Sequence, residues 1–291
     1  MRKFTFLTPH SLSEALFLLR EHAGRIKPIA GGTDLMVELR GGDEKLESMD
    51  YALDLTALSE LRAITLENGI VSIGAMATHD NVAHSPVIRS AAAMLAEASA
   101  SVGAQQIRNA ATIGGNVCNA AVAADTLSPL AALDAHVTLL SVSGARELPL
   151  SEFILGAGKT ALQPDELLTK ISFAPLSGCQ SRFVKLGRRK ALAISRMNAS
   201  VALRFEHGAI AEARVSPGCV FASPRRVASA EAMLIGQVPS VTLFEACGKA
   251  VSDEMVAVTG VRWSTEYKFP ALSAIVRRAL CEVSGLSEAE T

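Results

Sequence analysis

The sequence has few aromatic residues and no excess of charge of either sign. Aromatic residues make up 4% of the 291 residues, and the formal net charge at pH 7 is −1. The first value argues against a surface that stacks nucleic-acid bases, and the second argues against a globally basic protein that binds nucleic acids or membranes. The sequence also contains no run of about 18 uncharged apolar residues, so we expect no membrane-spanning helix.

Cysteine is scarce and widely spaced. The shortest interval between two cysteines is 28 residues, from Cys219 to Cys247, and no C-x-x-C pattern occurs. His79 and His84 lie five positions apart without the H-E-x-x-H pattern. A zinc or iron–sulfur site needs closely spaced ligands, so we predict no metal site in this chain. Scattered cysteines and the absence of a secretory signal in residues 1–24 predict reduced thiols and a cytoplasmic protein.

The usual nucleotide-binding and nucleophile motifs are also missing. The stretch GAGKT at 156–160 resembles part of a phosphate-binding loop, but Phe153 stands where the Walker pattern requires a glycine. A G-x-G-x-x-G pattern is absent, which argues against a Rossmann cofactor site. A G-x-S-x-G pattern is absent too, so no serine nucleophile is indicated. The sequence therefore predicts neither nucleotide hydrolysis nor serine hydrolase chemistry.

Two short stretches with paired glycines, AGGTD at 30–34 and TIGGN at 112–116, are present instead. Glycine permits a positive φ and a close approach of a ligand to the backbone, and successive N–H groups in such a stretch can bind an anion. Thr33 adds a hydroxyl and Asn116 an amide, both suited to phosphate or ribityl oxygens. If a helix begins at Leu35, its N-terminus also favours an anion. The two stretches could clamp a diphosphate from two sides, and two tight turns are the alternative interpretation.

The order of patterns along the chain predicts an α+β protein. Ser11 to Glu14 has the form of a helix capping box, and residues 85–103 read as one helix that Ser85 caps. Two-residue turns predict hairpins at Asn68-Gly69, Ser143-Gly144 and His207-Gly208.

The chain length suits two domains. A strand is predicted at 166–173, and the pattern loosens at 175–179, where we place a domain boundary. Helices are predicted near 225–236, 241–258 and 270–284.

Four stretches together resemble the FAD-binding (medium) subunit of molybdenum hydroxylases. They are AGGTDL, QIRNAATIGGNVCNAAVAAD, FILGAGKT and ELLTKISF. This family includes the flavoproteins of xanthine dehydrogenase-like, aldehyde oxidoreductase-like and carbon monoxide dehydrogenase-like enzymes. The resemblance covers almost the whole chain, and the run Q-I-R-N-x-A-T-x-G-G-N is its most specific part.

The resemblance implies a particular domain organisation. A two-part FAD-binding domain of the p-cresol methylhydroxylase (PCMH)/vanillyl-alcohol oxidase type would cover residues 1–176, with subdomains of about 1–57 and 58–176. Residues 177–291 would form a small CO dehydrogenase flavoprotein-like C-terminal domain with a three-stranded antiparallel sheet and helices. FAD would lie between the domains, with its diphosphate at the two glycine stretches.

The resemblance also implies a set of residues that contact FAD. By position they are Lys27, Pro28, Ile29, Ala30, Gly31, Gly32, Thr33, Asp34, Val102, Thr112, Ile113, Gly114, Gly115, Asn116, Asp125, Ile171, Lys185 and Ile194. Lys185 matches a basic residue that meets either the flavin ring or a phosphate, and Ile194 matches an apolar residue near the isoalloxazine. Val102 stands where some relatives have an aromatic ring. No catalytic acid or base and no metal ligand is predicted.

The function that the resemblance implies is electron transfer in a heteromeric complex. A large subunit would carry the molybdenum cofactor and a small subunit two [2Fe–2S] clusters, in a dimer of heterotrimers. Non-covalently bound FAD on this chain would pass electrons to NAD⁺, a quinone or oxygen. Residues 188–190, Arg-Arg-Lys, could dock an acidic partner, attract an anionic acceptor or form a solvated surface. A stand-alone flavin oxidase or reductase of the same fold, and a binding protein without cofactor, are the alternatives.

Overall fold

The structure, a computed structural model, describes residues 4–42 and 46–287. The strands are β1 (Thr5–Leu7), β2 (Ile26–Ile29), β3 (Tyr51–Asp54), β4 (Ile64–Glu67), β5 (Ile70–Gly74), β6 (His136–Ser141), β7 (Gly144–Pro149), β8 (Ile154–Gly156), β9 (Lys159–Thr160), β10 (Leu167–Phe173), β11 (Gln180–Gly187), β12 (Ser195–Glu206) and β13 (Ala209–Gly218). The helices are α1 (Leu12–Glu21), α2 (Leu35–Gly41), α3 (His79–His84), α4 (Pro86–Ala91), α5 (Ala93–Ala100), α6 (Gln105–Ala110), α7 (Ile113–Asn119), α8 (Leu127–Ala132), α9 (Leu150–Phe153), α10 (Ala228–Leu234), α11 (Val241–Thr259) and α12 (Thr265–Ser284). Strands and helices are grouped along the chain, which confirms the predicted α+β class.

A small parallel sheet occupies the N-terminal part of the chain. β3 is its central strand and pairs with β1 and β2. The apolar face of α1, including Leu16, lies in one hydrophobic cluster with Leu53 of β3. Ser11 caps α1 as predicted, by accepting the N–H of Glu14 at 3.2 Å, but the Glu14 carboxylate accepts from the N–H of His10 instead of Ser11. The chain leaves β2 directly into the first glycine stretch and then forms α2 from Leu35, the predicted position.

A five-stranded antiparallel sheet in the order β4-β5-β10-β6-β7 follows. The predicted two-residue turn joins β4 and β5, where Asn68 and Gly69 have φ values of 51° and 76°. The buried face of this sheet, including Ile73 and Ile171, packs in one cluster with α3, α4, α5, α7 and α8. The second glycine stretch belongs to this layer, because residues 113–116 form the beginning of α7.

The single helix predicted over 85–103 is wrong. The structure has α4 and α5 instead, with Ala92 between them at φ −160° and ψ 68°. The break frees two backbone groups for tertiary bonds. The carbonyl of Ala91 accepts the N–H of Leu176 at 2.9 Å, and the N–H of Met94 donates to Ser181 Oγ at 3.2 Å. Segments more than eighty residues away therefore decide where this helix ends.

The C-terminal region, from β11 to α12, is a three-stranded antiparallel sheet covered by helices, as predicted. Its strand order is β11-β12-β13, and β12 and β13 turn at His207-Gly208. Residues such as Val201 and Val215 form a separate hydrophobic cluster with α10, α11 and α12. Phe183 of β11 and Ala202 of β12 pack instead into the cluster of the preceding sheet. The domain boundary at 176/177 stays a prediction.

Within residues 4–42 and 46–287, no helix is both long enough and apolar enough to span a membrane.

Candidate cofactor-binding site

A cavity of about 680 Å³ lies between the N-terminal sheet and the helices that pack on the five-stranded sheet. This volume is in the range of small-molecule and cofactor sites. Its walls include the whole stretch 27–34, the beginning of α7 and the hairpin between β8 and β9. The two glycine stretches, about eighty residues apart in sequence, therefore border one cavity.

Gly31 holds the two stretches together by close packing. A Cβ on Gly31 would lie 2.0 Å from the carbonyl oxygen of Ala110 and 2.8 Å from Cα of Ala111. Real Cβ atoms do not approach other atoms so closely, so only glycine fits here. Because Ala111 immediately precedes Thr112, this contact sets the first stretch directly on the entrance to the second.

The first stretch offers a run of available backbone donors. The N–H groups of residues 31–34 form no hydrogen bond to any other residue that the structure describes. Gly32 has φ +68°, a conformation that glycine adopts without strain. All four residues line the cavity. Successive free N–H groups of this kind are suited to the oxygens of a phosphate.

The second stretch differs from the expectation, because its glycines are helical and its N–H groups are used. Gly114 and Gly115 belong to the first turn of α7, which Thr112 caps by accepting the N–H of Gly115 at 3.1 Å. The N–H groups of Ile113 and Gly114 donate to the carbonyls of residues 77 and 75, both at 3.0 Å. The N–H of Asn116 donates to Thr112 O at 3.0 Å. The N–H groups of the second stretch are therefore already bonded within the chain, unlike those of the first, so the structure gives no support for anion binding through them.

The two helical glycines have different roles: Gly114 allows close packing, and Gly115 leaves open space. A Cβ on Gly114 would lie 2.6 Å from both the Cβ and the carbonyl oxygen of Ala75, so α7 can pack on the chain after β5 only with glycine there. Among the described residues, a Cβ on Gly115 would have a single neighbour within 4 Å, Thr112 Oγ1 at 3.0 Å. Gly115 lines the cavity, so a side chain at this position would take up space beside a bound molecule.

Asp125, which is buried, and Lys185, which is half-buried, form an ion pair that is not part of the cavity wall. Lys185 Nζ donates to Asp125 Oδ2 at 2.6 Å and to the carbonyl of Ser101 at 3.0 Å. The other Asp125 oxygen accepts from Ser195 Oγ at 2.5 Å and from Asn198 Nδ2 at 3.4 Å. The pair thus joins the segment between α7 and α8 to strands β11 and β12 of the C-terminal region.

The structure brings most of the predicted site residues together and leaves others apart. Lys27 to Asp34, Val102, Thr112 and Gly114 to Asn116 line the cavity. Ile113 and Ile171 are fully buried in the core of the second sheet. Ile194 is 80% exposed, in the connection between β11 and β12. None of these three residues, nor Asp125 or Lys185, is part of the cavity wall described here.

Several wall residues were not predicted from the sequence, and His79 is the most unusual of them. Four polar residues also line the cavity, namely Asn119, Thr160, Gln163 and Glu166. His79 is 1% exposed, and its Nδ1 is enclosed without a hydrogen-bond partner among the described residues. Burial, with a smaller effect of Arg108, lowers the pKa of His79 from 6.5 to about 4. A lone histidine outside any known motif carries no sequence signal of such a place.

The remaining side-chain chemistry gives no sign of a nucleophile or a metal. Cys118 lines the cavity, but burial raises the pKa of its thiol to about 12, so it is protonated at neutral pH. The described residues contain no group of three or more His, Cys, Asp or Glu side chains that could hold a metal ion.

The chain matches two protein-family models. Residues 2–175 match the family model described as "FAD binding domain in molybdopterin dehydrogenase", and residues 182–283 match "CO dehydrogenase flavoprotein C-terminal domain". The chain is 33% identical over 290 residues to the nicotinate dehydrogenase FAD-subunit of Eubacterium barkeri, covering 97% of each chain. It is 29% identical over 285 residues to the xanthine dehydrogenase FAD-binding subunit of Escherichia coli O157:H7, covering 96% of each.

Solved structures show the same architecture over nearly the whole length. A chain of carbon monoxide dehydrogenase from Hydrogenophaga pseudoflava superposes with a TM-score of 0.87 at 26% identity, covering 98% of both chains. A chain of quinoline 2-oxidoreductase from Pseudomonas putida 86 superposes with a TM-score of 0.89 at 24% identity, again covering 98% of both. The second likeness concerns the fold alone.

Proposed function

The chain belongs to the family of FAD-binding subunits of molybdenum hydroxylases, and we propose that it transfers electrons through FAD within such a complex. The donor would be [2Fe–2S] clusters on a small partner subunit, which receive electrons from substrate oxidation at a molybdenum cofactor on a large subunit. The acceptor would be NAD⁺, a quinone or oxygen. FAD supplies the redox chemistry, because it can accept electrons singly and release them singly or in pairs.

The run of free N–H groups at residues 31–34 is the observation that carries the proposal. Residues 31–34 line a cavity of suitable size, and their N–H groups have no partner among the described residues. A diphosphate would satisfy them, because its oxygens can accept hydrogen bonds from successive backbone N–H groups. Thr33 and Asn116 add polar side chains at the same wall. The residues present therefore fit an FAD diphosphate.

The two stretches would have different tasks toward that diphosphate. The first would donate hydrogen bonds through its backbone. The second would position the cofactor by shape, since its own N–H groups are occupied and Gly115 leaves the wall without a side chain. Asn116 keeps its side-chain N–H₂ available, while its Oδ1 accepts from Thr126 Oγ1 at 2.5 Å.

Lys185 and Asp125 would set the electrostatic charge near the flavin ring, where the segment before α8 meets strands β11 and β12. A cation near the pyrimidine edge of the flavin stabilises negative charge on the reduced ring. Here Asp125 holds the Lys185 ammonium in place at 2.6 Å, so the cation is positioned before any cofactor arrives. We propose that the ring lies toward this pair while the diphosphate lies at residues 31–34.

We propose that FAD binds non-covalently. The neutral Cys118 thiol is a poor nucleophile, and neither glycine stretch contains a histidine. Acid precipitation of the purified protein is expected to leave the flavin in the supernatant. A yellow pellet would instead favour a stand-alone oxidase with a covalent flavin.

The role of the chain in the complex can be tested by removing the flavin. In the purified complex, mass spectrometry should identify a molybdenum-cofactor subunit and an iron–sulfur subunit beside this chain. After FAD is removed, substrate should still reduce the iron–sulfur clusters, but turnover with the acceptor should stop and should return when FAD is added. Turnover with the acceptor that continues without flavin would contradict the proposal.

The basic run at residues 188–190 is a second point to test. The three side chains are exposed in the connection between β11 and β12, and Arg189 donates to the carbonyls of residues 191 and 192 in the same connection. We propose that this run attracts either an acidic partner or an anionic acceptor. Replacing Arg188, Arg189 and Lys190 with alanine should weaken co-purification of the complex or raise the KM for the acceptor. Unchanged assembly and unchanged kinetics would show a solvated surface.

A further inference from the structure

Two exposed connections meet at one end of the C-terminal region. One is residues 188–194 between β11 and β12, and the other is residues 260–264 between α11 and α12. The guanidinium carbon of Arg196, at the start of β12, lies 5.2 Å from the centre of the Tyr267 ring in the first turn of α12. This cation–π contact holds the ends of the two connections together. With Arg196 and Tyr267, the two connections form what we call the connection face.

The connection face exposes large apolar side chains that take no part in the hydrophobic clusters. Trp263 is 97% exposed, Val261 82% and Ile194 80%. They are the three most exposed large apolar side chains in the part of the chain that the structure describes. Single exposed apolar residues are common on protein surfaces, but a group of them at one place marks an interaction site.

The first connection has a defined shape although its side chains are exposed. Arg189 Nε donates to the carbonyls of Ala191 and Leu192, both at 3.1 Å. Leu192 has φ +55°, a backbone conformation that is unfavourable for a residue other than glycine. A Cβ on Gly187 would lie 2.9 Å from the Cβ of Ala193, so the connection folds closely back on the end of β11. Such a preformed surface loses less conformational entropy when it binds a partner.

Positive charges surround these apolar side chains. Within residues 4–42 and 46–287, residues 188–190, Arg196 and Arg262 form no ion pair, whereas Arg182 and Arg226 of the same region bind carboxylates at 2.6 and 2.8 Å. The connection face itself contains no Asp or Glu, and Glu266 is the carboxylate at its edge. Five cations beside one carboxylate leave a strongly positive surface.

A protein surface with an apolar centre and a border of carboxylates would complement the connection face. Trp, Tyr and Arg are the residues that most often dominate the affinity of protein interfaces, and all three occur here. A second copy of this chain fits poorly, because a two-fold interface would place the same positive surface on both sides. Like charges in contact disfavour such a pairing.

We infer that the connection face is the docking surface for the iron–sulfur subunit, which would offer a pocket for Trp263 bordered by carboxylates. The inference rests on the proposed function, since that function supplies the partner. Ser195 lies between Ile194 and Arg196 in sequence, and its Oγ donates to Asp125 at 2.5 Å. A subunit docked here would therefore lie beside the Asp125–Lys185 pair, toward which we propose that the flavin ring lies.

The direct test is assembly of the complex from the flavin-loaded full chain and its separately prepared partner subunits, with the Kd measured by titration. Trp263→Ser should raise this Kd about tenfold or more, the loss typical of a tryptophan at the centre of an interface. The Tm of the isolated variant should equal that of the wild type, because the Trp263 side chain is exposed. Phe17→Ser is the matched control and should assemble like the wild type, since Phe17 is an exposed aromatic residue on α1.

The salt dependence of assembly tests the charge of the connection face. The Kd of the wild type should rise with the NaCl concentration, because salt screens attraction between exposed charges. Arg188→Glu should raise the Kd at low salt and reduce its salt dependence, which a purely structural role would not do. Arg20→Glu is the matched control, because Arg20 is exposed on α1 and has no ion pair among the described residues. Trp263→Ser and Arg188→Glu variants that both assemble like their controls would overturn the inference.

Other occupants of the connection face would give different results. A photo-cross-linking residue in place of Trp263 should label the iron–sulfur subunit, and a label on the molybdenum subunit alone would overturn the inference. Self-association of the isolated chain, or its binding to phosphatidylserine vesicles, would do the same if Trp263→Ser abolished it without changing assembly. A wild-type chain that does not assemble with these subunits would instead overturn the proposed function, so the two failures are distinguishable.

Discussion

At the scale of single residues, the paired glycines are required for reasons that differ from one position to the next. Conformational freedom explains Gly32, which has φ +68°, but Gly31, Gly114 and Gly115 have no positive φ. Gly31 and Gly114 are fixed by contacts with Ala110 and Ala75. The sequence could predict that glycine pairs matter, but it could not distinguish these reasons because they depend on segments far along the chain.

Gly31→Ala should disrupt both the fold of the first stretch and FAD binding. Its Cβ would overlap the carbonyl oxygen of Ala110 at 2.0 Å, and such overpacking typically costs about 1–3 kcal/mol. We expect a lower free energy of unfolding and a weaker affinity for FAD, measured by denaturant unfolding and by flavin titration.

Gly41→Ala is the matched control for this substitution. Gly41 ends α2, and a Cβ at this position would have no neighbour within 4 Å among the described residues. Alanine should therefore be neutral or stabilise the chain by up to about 1 kcal/mol. If Gly31→Ala behaved like Gly41→Ala in both measurements, the close contact between the two glycine stretches would be wrong.

The buried His79 predicts how the cofactor-free chain responds to acid. Unfolded histidine binds a proton below pH 6.5, whereas His79 in the folded chain does so only near pH 4. Stability should therefore fall as the pH drops from 6.5 to 4, and this residue should account for up to about 3 kcal/mol of the loss. His79→Leu should remove that part of the acid sensitivity, as measured by unfolding at a series of pH values. Equal slopes for the variant and the wild type would contradict the lowered pKa.

At the scale of secondary-structure elements, the sequence predicted turns better than helix ends. The turns at Asn68-Gly69 and His207-Gly208 depend on local chemistry, and both are at the predicted positions. The break at Ala92 and the helical form of Gly114-Gly115 depend on tertiary partners, namely Leu176, Ser181 and the chain after β5. No local pattern contains that information, so both were missed.

Gly248 in the middle of α11 provides a test at this scale. Replacing a helix-interior glycine with alanine usually stabilises a helix by about 1 kcal/mol. Here the new Cβ would lie 2.4 Å from the carbonyl oxygen of Ser273 on α12, so the helices would have to move apart. We expect Gly248→Ala to lower the free energy of unfolding by about 1–3 kcal/mol in denaturant experiments.

The neighbouring Lys249→Ala should have almost no effect on the same measurement. Lys249 is exposed and forms a surface ion pair with Asp253, and such pairs contribute little. A stabilising Gly248→Ala would mean that α11 and α12 do not pack at this distance.

At the scale of the whole molecule, the Asp125–Lys185 pair connects the sheet-and-helix region to the C-terminal region. Lys185→Met would leave the Asp125 carboxylate buried without its cation, which typically costs about 3–5 kcal/mol. The double variant Asp125→Asn with Lys185→Met should recover most of this loss. Both are measured by unfolding of the cofactor-free chain, and a double variant no more stable than the single one would contradict the pairing.

The candidate site itself could be predicted only in part, because it is assembled from distant segments. The stretch 27–34 and the beginning of α7 were identified from their glycines and from a family resemblance, and both line the cavity. His79 and Gln163 carry no sequence signal, since only the fold brings them to the same wall. The positions of Ile171 in the core and Ile194 on the surface depend in the same way on packing.

A crystal structure of this chain with bound FAD is the most direct test of the account. The account predicts that a phosphate of FAD lies within hydrogen-bond distance of the N–H groups of residues 31–34, with Gly115 facing the diphosphate across the cavity. A dinucleotide bound elsewhere, or N–H groups of residues 31–34 that still face solvent beside it, would contradict the account.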